Sequence, residues 1–229
     1  MVTIEDFKYT ITIWNGFEIP DIVERDVKID LDSNKIIAIA GVRRSGKTHI
    51  MFQCINSLLK RGIKRDNVFY VDFENERLVG VKATDLDNLL VAHRELFNPD
   101  VIVYVFLDEI QDVGNWDKWV RKVYDTGKYR LIVAGSSFEL LSSEIATSLA
   151  GRNLTYVVYP FSFEEYVSVR GIKISRLQKY SPDKGIMLKA TNDFLEFGSF
   201  PEIALTPDTP RGLEILSSYF NAIFFRDIE

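Results

Sequence analysis

Short apolar runs alternate with segments of helical periodicity over the first 160 residues of the chain. The runs cover residues 36–40, 68–71, 101–107, 131–134 and 154–158. Several of them are apolar throughout, which is typical of parallel strands that are covered on both faces. Strands that alternate with helices indicate an α/β fold in which helices cross over between parallel strands. The pattern therefore predicts a parallel sheet with helices on its faces.

The helical segments carry their own start and stop signals. After Lys47, apolar residues recur at helical spacing as far as Gly62. Asn115 is expected to cap a further helix with one apolar stripe, and Gly127 is expected to end it. The residues before the first run are interpreted as a leading segment of the same domain.

After Pro160 the pattern changes to helices only. Ser162 and Glu165 have the spacing of a capping box that opens one helix. The change predicts two domains, a core at residues 1–160 and a small helical lid at residues 161–229. Because the chain stops directly after an apolar helix without a C-cap signal, we expect the natural chain to continue into a further region.

Residues 41–48, with the sequence GVRRSGKT, fit the pattern GxxxxGK[ST] between an apolar run and a helix. In this pattern, loop amides and the helix N-terminus donate to phosphate oxygens, and the glycines permit close approach. Lys47 is expected to reach the β and γ phosphates, and Thr48 is expected to ligate magnesium. The sequence thus predicts a binding site for a nucleoside triphosphate. Its residues are Gly41, Val42, Arg43, Arg44, Ser45, Gly46, Lys47, Thr48 and His49.

A second motif follows the third apolar run, which ends in Asp108 and Glu109. A carboxylate at the carboxyl end of a parallel strand lies at the crevice where ligands bind. Asp108 is expected to hold magnesium, and Glu109 to polarise the attacking water. The alternative is an acidic turn after a core strand, and the motif at residues 41–48 favours the catalytic interpretation. For Asp72 and Glu74, at the end of the second run, a place bordering the crevice is one interpretation, and solvated carboxylates are the preferred one.

Other polar residues are candidates for the rest of a catalytic site. Ser136 follows the fourth run and is the candidate sensor of the γ phosphate, whereas Ser137 fits a helix N-cap equally well. The cation that phosphoryl transfer usually requires is assigned first to Arg152, with a neighbouring subunit as one place of action, and second to Arg226. The alternative for each arginine is a solvated surface side chain.

Composition narrows the range of partners. The 229 residues carry a formal net charge of −5, so no global positive field indicates nucleic acid or an anionic membrane. Cys54 is the only cysteine, which excludes an internal disulfide and fits a reducing compartment. The N-terminus does not resemble a signal peptide, and no run approaches the roughly 18 apolar residues of a membrane span. These features predict a cytoplasmic protein without a membrane partner.

Taken together, the motifs resemble one family. GVRRSGKT, FLDEIQDV and IVAGSS, followed by SLAGR, FGSFPE and FFRDI, are similar to the archaeal-type P-loop ATPases related to the AAA+ and STAND nucleotidases. The resemblance implies a three-layer α/β/α core of the ASCE type with strand order 5-1-4-3-2 and a helical lid. It also implies ATP hydrolysis with Mg²⁺ and a further C-terminal domain. Where family members commonly carry two glycines, this chain has Gly198 and Ser199.

Three functions are consistent with these residues. The first is an ATPase whose Mg²⁺-dependent hydrolysis drives a conformational change in the lid or an attached domain. The second is a switch that holds ATP or ADP with slow turnover and signals through its bound state. The third is a DNA-associated loader, against which the acidic balance counts. A second copy or a partner protein is the expected source of a catalytic arginine.

Overall fold

The computed structural model describes residues 2–135, 149, 151–172, 184–206 and 209–227, with the backbone alone for residues 209, 210 and 224–227. The strands are β1 (Ile36–Ala40), β2 (Val68–Asp72), β3 (Val103–Asp108), β4 (Tyr129–Gly135) and β5 (Asn153–Val157). The α-helices are α1 (Ile4–Asn15), α2 (Lys47–Lys60), α3 (Leu86–Phe97), α4 (Trp116–Asp125), α5 (Phe163–Val169), α6 (Lys184–Phe197), α7 (Pro201–Leu205) and α8 (Thr209–Asp227). None of the helices in these ranges is long and apolar enough to cross a membrane.

The chain divides into two compact units, of which the first comprises Met1–Ile22, Val27–Ala40 and Lys47–Val157. It contains one sheet in the order β2-β3-β4-β1-β5, and every neighbouring pair is parallel. Counted from the other edge, this is the order 5-1-4-3-2, so the predicted fold class and strand order are confirmed. β1 lies between β4 and β5, and all its residues are buried, as its uninterrupted apolar sequence predicts.

Helix α1 belongs to the core of the first unit. A capping box of Thr3 and Asp6 opens the helix. Phe7, Ile11 and Trp14 recur at helical spacing and are buried, and the helix packs against α3 and β2. The leading segment therefore contributes apolar contacts to the sheet layer.

Helix α4 begins without the predicted side-chain cap. Asn115 occupies the N-cap position, but its φ of 61° and ψ of 26° are left-handed, and its side chain makes no capping hydrogen bond. Its Oδ1 instead accepts a hydrogen bond from Lys118 Nζ at 3.1 Å. An N-cap side chain reaches the free amides from an extended backbone, so the predicted cap is wrong. The predicted apolar stripe is present, and its buried members are Trp116, Trp119, Val120 and Val123.

The second unit comprises Val23–Asp26, Gly41–Gly46 and Val158–Glu229. After residue 158, its described residues form helices α5 to α8 and no strand. The predicted capping box of α5 is confirmed, because Ser162 Oγ accepts from the Glu165 amide at 3.1 Å and Glu165 Oε2 accepts from the Ser162 amide at 2.8 Å.

A small apolar cluster holds the second unit together. Its buried members are Phe161, Tyr166, Val167, Ala190 and Ala204. Val23, from the first short segment, packs against this cluster. The sequence predicted a boundary after residue 160, and it did not predict that the segments 23–26 and 41–46 belong with the helices.

Candidate functional site

In the first unit, the last two residues of the 41–48 motif meet the residues that end β3, at the carboxyl ends of the strands. Lys47 and Thr48 open α2, and Asp108 ends β3. Thr48 Oγ1 donates to Asp108 Oδ2 at 2.7 Å across 60 residues of sequence. Lys47 Nζ lies 3.6 Å from Glu109 Oε1. The structure thus brings together four of the residues that the motifs predicted.

Asp108 is a buried carboxylate with two hydroxyl donors. Tyr70 Oη donates to Oδ2 at 2.9 Å, and this is the same oxygen that accepts from Thr48. Burial raises the pKa of Asp108 above its usual range, and the charge of Glu109 adds to this, while the hydrogen bonds from Thr48 and Tyr70 and the charge of Lys47 limit the rise. The hydroxyl donors and the lysine therefore stabilise the ionised form that a cation site requires.

Tyr70 was not predicted from the sequence. It lies in β2 two residues before Asp72, and Asp72 is the register partner of Asp108 on β3. Side chains alternate along a strand and register partners share a face, so these three side chains lie on one face of the sheet. The available signal was a residue with a polar tip inside the apolar run VFYV. Its interpretation depended on knowing that β2 pairs with β3.

Glu109 has a left-handed backbone conformation, with φ 49° and ψ 43°. This conformation is uncommon outside glycine and often occurs at functional sites. Glu109 Oε2 accepts a hydrogen bond from Gln111 Nε2 at 2.6 Å, and its side chain is 14% exposed. The carboxylate is therefore held in one orientation while it keeps access to solvent, which suits proton transfer from water.

Asp72 is half-buried, so its interpretation as a solvated carboxylate is wrong, whereas Glu74 is exposed as expected. Burial raises the pKa of Asp72 to about 6; a hydrogen bond from the Glu74 amide opposes this, and the charges of Asp108, Glu74 and Glu109 add to it. The sequence could not show this because Asp108, on the paired strand β3, is brought beside Asp72 only by the strand register. The carboxylates Asp72, Asp108 and Glu109 thus repel one another at this edge.

In the second unit, residues 41–46 form a tight loop whose glycines are required by its geometry. A Cβ on Gly41 would lie 2.4 Å from the carbonyl oxygen of Val158 and 2.7 Å from Ser45 Oγ. Gly46 has a φ of 100°, which side chains rarely permit. The two glycines of the motif therefore allow a backbone path that other residues would obstruct.

The other side chains of the motif have different surroundings. Arg44 is exposed, and its Nη1 lies 3.4 Å from Glu202 Oε2 while its guanidinium group lies 5.2 Å from the ring centroid of Tyr219. Glu202 is the last residue of FGSFPE, so this motif contacts the 41–46 loop within the second unit. Arg43 is half-buried, and His49 is exposed on the first turn of α2.

Arg152 lies at the amino ends of the strands, whereas Asp108 lies at their carboxyl ends. It directly precedes β5, whose first residue is the parallel register partner of the first residue of β1. A strand of five residues is roughly 16 Å long, so the amino and carboxyl ends of the strands are separated by about this length. Arg152 Nε pairs with Asp125 Oδ1 at 3.3 Å. Because Arg152 is distant from Asp108 in its own chain, its action on a neighbouring subunit stays the prediction.

Ser136, the candidate sensor, lies outside the described residues, and so does Ser137. The backbone of Arg226 lies within α8, but its side chain is outside the described part of the chain. The roles assigned to these residues stay predictions.

The donor set fits a magnesium nucleotide. Mg²⁺ is usually held by one or two protein oxygens together with phosphates and water. Thr48 Oγ1 and Asp108 Oδ2 supply two adjacent oxygens, and within the described residues no group of three or more acidic, histidine or cysteine side chains could hold a metal alone. Ser45 Oγ is buried without a hydrogen-bond partner in the described structure, so the loop has a hydroxyl group available for a hydrogen bond to a ligand. These observations agree with a cation that is shared with phosphate oxygens.

Comparisons with known proteins agree with the geometry. Residues 33–167 match the family described as AAA domain. An uncharacterized protein of Methanocaldococcus jannaschii is 42% identical over 208 residues, which cover 90% of this chain and 45% of that protein. An uncharacterized protein of Haemophilus influenzae is 31% identical over 198 residues, which cover 86% of this chain and 47% of that protein. The chain spans about half the length of the curated relatives it matches.

Three solved structures have partial similarity to this chain at low sequence identity. Cdc6p from Pyrobaculum aerophilum has a TM-score of 0.42 and 9% identity, covering 73% of this chain and 47% of that chain. The Orc1 protein of Aeropyrum pernix, in complex with DNA, has a TM-score of 0.44 and 15% identity, covering 97% of this chain and 60% of that chain. PCH-2 of C. elegans has a TM-score of 0.43 and 14% identity, covering 97% of this chain and 61% of that chain.

Proposed function

The chain belongs to the AAA domain family, and from this premise we propose that it binds ATP with Mg²⁺ and hydrolyses it to ADP and phosphate. The observation that supports the proposal most directly is the grouping of Lys47, Thr48, Asp108 and Glu109 at one edge of the sheet. A lysine, a hydroxyl group, a buried carboxylate and a partly exposed carboxylate are the groups that phosphoanhydride hydrolysis uses. The same geometry does not favour transfer to another acceptor, because Glu109 is suited to activate water.

In the proposed complex, residues 41–48 hold the triphosphate. Their amide groups donate to phosphate oxygens, and the Lys47 ammonium group pairs with the β and γ phosphates. Thr48 and Asp108 would hold Mg²⁺, which supplies positive charge against the charge that develops on the phosphoryl oxygens. The repulsion between Asp108 and its neighbouring carboxylates falls when positive charge is present.

Glu109 acts on the water molecule in this proposal. Its carboxylate accepts a proton as the water oxygen bonds to the γ phosphorus, and the bond to the bridging oxygen breaks with its electron pair remaining on ADP. Gln111, which donates to Glu109 Oε2 at 2.6 Å, holds the carboxylate in position. Ser136 is the proposed contact to the γ phosphate.

We assign the additional cation to Arg152 of a neighbouring copy of the chain. Phosphoryl transfer commonly uses an arginine from a second protein. In its own chain, Arg152 lies at the amino ends of the strands, and Asp108 lies at their carboxyl ends. On this assignment the isolated chain hydrolyses ATP slowly. The same position favours the second candidate function, a nucleotide-dependent switch with little turnover, for the chain as a monomer.

Binding is tested with the variant Lys47→Ala and the control Lys60→Ala, which changes a lysine at the other end of the same helix. We expect the affinity for ATP with Mg²⁺, measured by calorimetry, to fall about 10- to 100-fold for Lys47→Ala, because a charge-assisted hydrogen bond is worth roughly 1.5–3 kcal/mol. The control should bind as the parent does. Equal affinity of a folded Lys47→Ala variant and the parent would refute the binding site.

Hydrolysis is tested with Glu109→Gln and the control Glu74→Gln, which changes an exposed carboxylate near the same edge. We expect phosphate release to fall by about 10²- to 10⁴-fold in Glu109→Gln with ATP affinity retained, because the amide cannot accept the proton. If the parent and Glu109→Gln release phosphate at the same rate, the switch is the better description.

A further inference from the structure

Arg25 is a buried arginine of the second unit that directly contacts the 41–46 loop. Its Nη1 donates to the carbonyl oxygen of Ser45 at 3.1 Å. Its Nε donates to Glu165 Oε1 at 2.8 Å, and its Nη2 donates to Glu165 Oε2 at 3.2 Å and to the carbonyl oxygen of Tyr159 at 2.9 Å. Its guanidinium group also lies 4.8 Å from the ring centroid of Phe161. One side chain thus joins the loop to helix α5 and to the segment that precedes it.

The carboxylate that neutralises Arg25 is itself fixed by backbone groups. Glu165 accepts from the Ser162 amide at 2.8 Å and from the Asp26 amide at 3.0 Å, in addition to the two bonds from Arg25. Burial raises the pKa of Glu165, but these hydrogen bonds, with Arg25 first, bring it below its usual range. A buried ion pair is stable only with such complete hydrogen bonding. The orientation of Arg25 is therefore determined by the start of α5.

The bond to Ser45 also fixes the next amide group of the loop. In a trans peptide the carbonyl and the N–H point in opposite directions, so a Ser45 carbonyl aimed at Arg25 directs the Gly46 N–H away from it. The guanidinium group occupies the space beside Gly46, because a Cβ there would lie 3.2 Å from Arg25 Nη1. Arg25 thus sets the Ser45–Gly46 peptide, one residue before the peptide that leads into Lys47.

We propose that Arg25 is a positioning residue of the phosphate-binding loop, which it holds with the Gly46 amide oriented for a phosphate oxygen. The proposal rests on the proposed function of residues 41–48. Arg25 does not touch the nucleotide: its guanidinium nitrogens bind Glu165 and backbone carbonyls, and its effect comes from lowering the cost of ordering the loop.

The test compares Arg25→Lys with Arg170→Lys. Arg170 is a matched control in the same unit, since it binds the Ala204 carbonyl at 3.2 Å, lies 3.8 Å from Asp193 Oδ2 and covers the ring of Tyr166 at 4.7 Å. Lysine keeps a positive charge beside Glu165 or Asp193 in each variant, but it lacks the planar fork that binds a carboxylate and a carbonyl at once. Thermal unfolding of both variants shows whether they remain folded.

We expect Arg25→Lys to raise the KM for ATP and the Kd for pyrophosphate with Mg²⁺ by about 5- to 20-fold, with kcat within about threefold of the parent. Pyrophosphate is included because it reports on the loop without contacts to a base. Arg170→Lys should leave both constants unchanged. Should Arg25→Lys be too unstable, the double variant Arg25→Met with Glu165→Gln, compared with the parent and with Arg170→Lys, tests the same role without an unpaired buried charge.

The outcomes separate the two proposals. If Lys47→Ala loses affinity but Arg25→Lys binds ATP and pyrophosphate as Arg170→Lys does, the positioning role is refuted and the site stands. A fall in kcat with unchanged KM also refutes it, since that pattern indicates an effect on the transition state alone. If neither Lys47→Ala nor Arg25→Lys alters binding, the proposed function itself fails.

Discussion

At the scale of single residues, the site depends on Asp108, a buried carboxyl group whose pKa is raised above its usual range by burial. Burial of a carboxylate favours its neutral form, and two hydroxyl donors from different elements oppose this. Thr48 belongs to the motif that predicts phosphate binding, but Tyr70 belongs to a strand without a motif. The hydroxyl group of Tyr70 is therefore the more informative one to remove.

Tyr70→Phe removes one donor from Asp108 and leaves the ring in place. We expect the free energy of unfolding to fall by about 1–2 kcal/mol, because a hydrogen bond to a buried carboxyl group is lost. ATP affinity in the presence of Mg²⁺ should fall about 3- to 10-fold by calorimetry. The control Tyr104→Phe, near the amino end of β3, should change neither quantity by a comparable amount. Equal behaviour of the two variants would contradict the role of the hydroxyl group.

Asp72 predicts a dependence of stability on pH. Its pKa of about 6 in the folded protein lies above an unfolded value near 3.9, so the folded state binds the proton more tightly. Stability from this group is present below about pH 4 and is lost as pH rises through about 6. Without Mg²⁺, Asp72→Asn should raise the free energy of unfolding by about 1–3 kcal/mol at pH 7.5 and by little at pH 4.

Urea denaturation at the two pH values measures this difference. The control Glu76→Gln removes an exposed carboxylate and should change stability by less than about 0.5 kcal/mol at either pH. A gain in Asp72→Asn that is the same at pH 4 and pH 7.5 would show that charge is not its cause.

The predicted site residues that the structure brings together are those marked by near neighbours in the chain. Lys47 and Thr48 are defined by the spacing of their glycines, and Asp108 by its place after an apolar run. Tyr70 and Arg25 act through contacts 38 and 20 residues away in the sequence. No local pattern marks such residues, because the strand register and the path of the leading segment bring them to the site.

At the scale of elements, the two predicted helix caps have different outcomes, because one cap residue has an extended backbone and the other does not. Ser162, with a φ of −61° and a ψ of 164°, forms the capping box that its sequence predicts. Asn115 has a suitable side chain, but the preceding turn places it in the left-handed region. A capping residue thus indicates a helix start, while its hydrogen bond depends on how the chain enters the helix.

Helix α1 predicts how much the leading segment contributes to stability. Phe7 is completely buried on this helix, whereas Ile13 on the same helix is 57% exposed. We expect Phe7→Ala to lower the free energy of unfolding by about 3–5 kcal/mol, because it leaves a cavity, and Ile13→Ala by less than about 1 kcal/mol. Urea denaturation measures both. Similar small losses for the two variants would show that α1 is not part of the folded core.

At the scale of the whole chain, the strand order followed from the resemblance, while the composition of the two units did not. Parallel strands joined by helices leave few arrangements, and the family pattern selects one of them. The segments 23–26 and 41–46 join the helical unit through contacts such as those of Arg25 and Arg44. Such contacts link segments far apart in the chain, so a boundary read along the sequence could not include them.

The assignment of Arg152 concerns assemblies of the chain and predicts complementation between two inactive variants. Arg152→Ala should lower turnover by a factor on the order of 10³ while retaining ATP affinity, because the arginine acts only on the transition state. Glu109→Gln should be inactive because its amide cannot accept the proton of the attacking water. In a mixture, a Glu109→Gln copy supplies Arg152 to the intact Glu109 of its neighbour, so phosphate release should exceed the sum of the separate rates and rise with chain concentration.

Arg130→Ala is the matched control for this experiment. Arg130 also lies near the amino end of its strand, where it donates to Asn34 Oδ1 at 2.7 Å. The ion pair of Arg152 with Asp125 is partly exposed and contributes little to stability, so a general loss of folding is not expected from either change. Turnover of Arg152→Ala equal to that of Arg130→Ala at every concentration would remove Arg152 from the mechanism. Loss of activity in Arg152→Ala without recovery in the mixture would place the arginine's effect within its own chain.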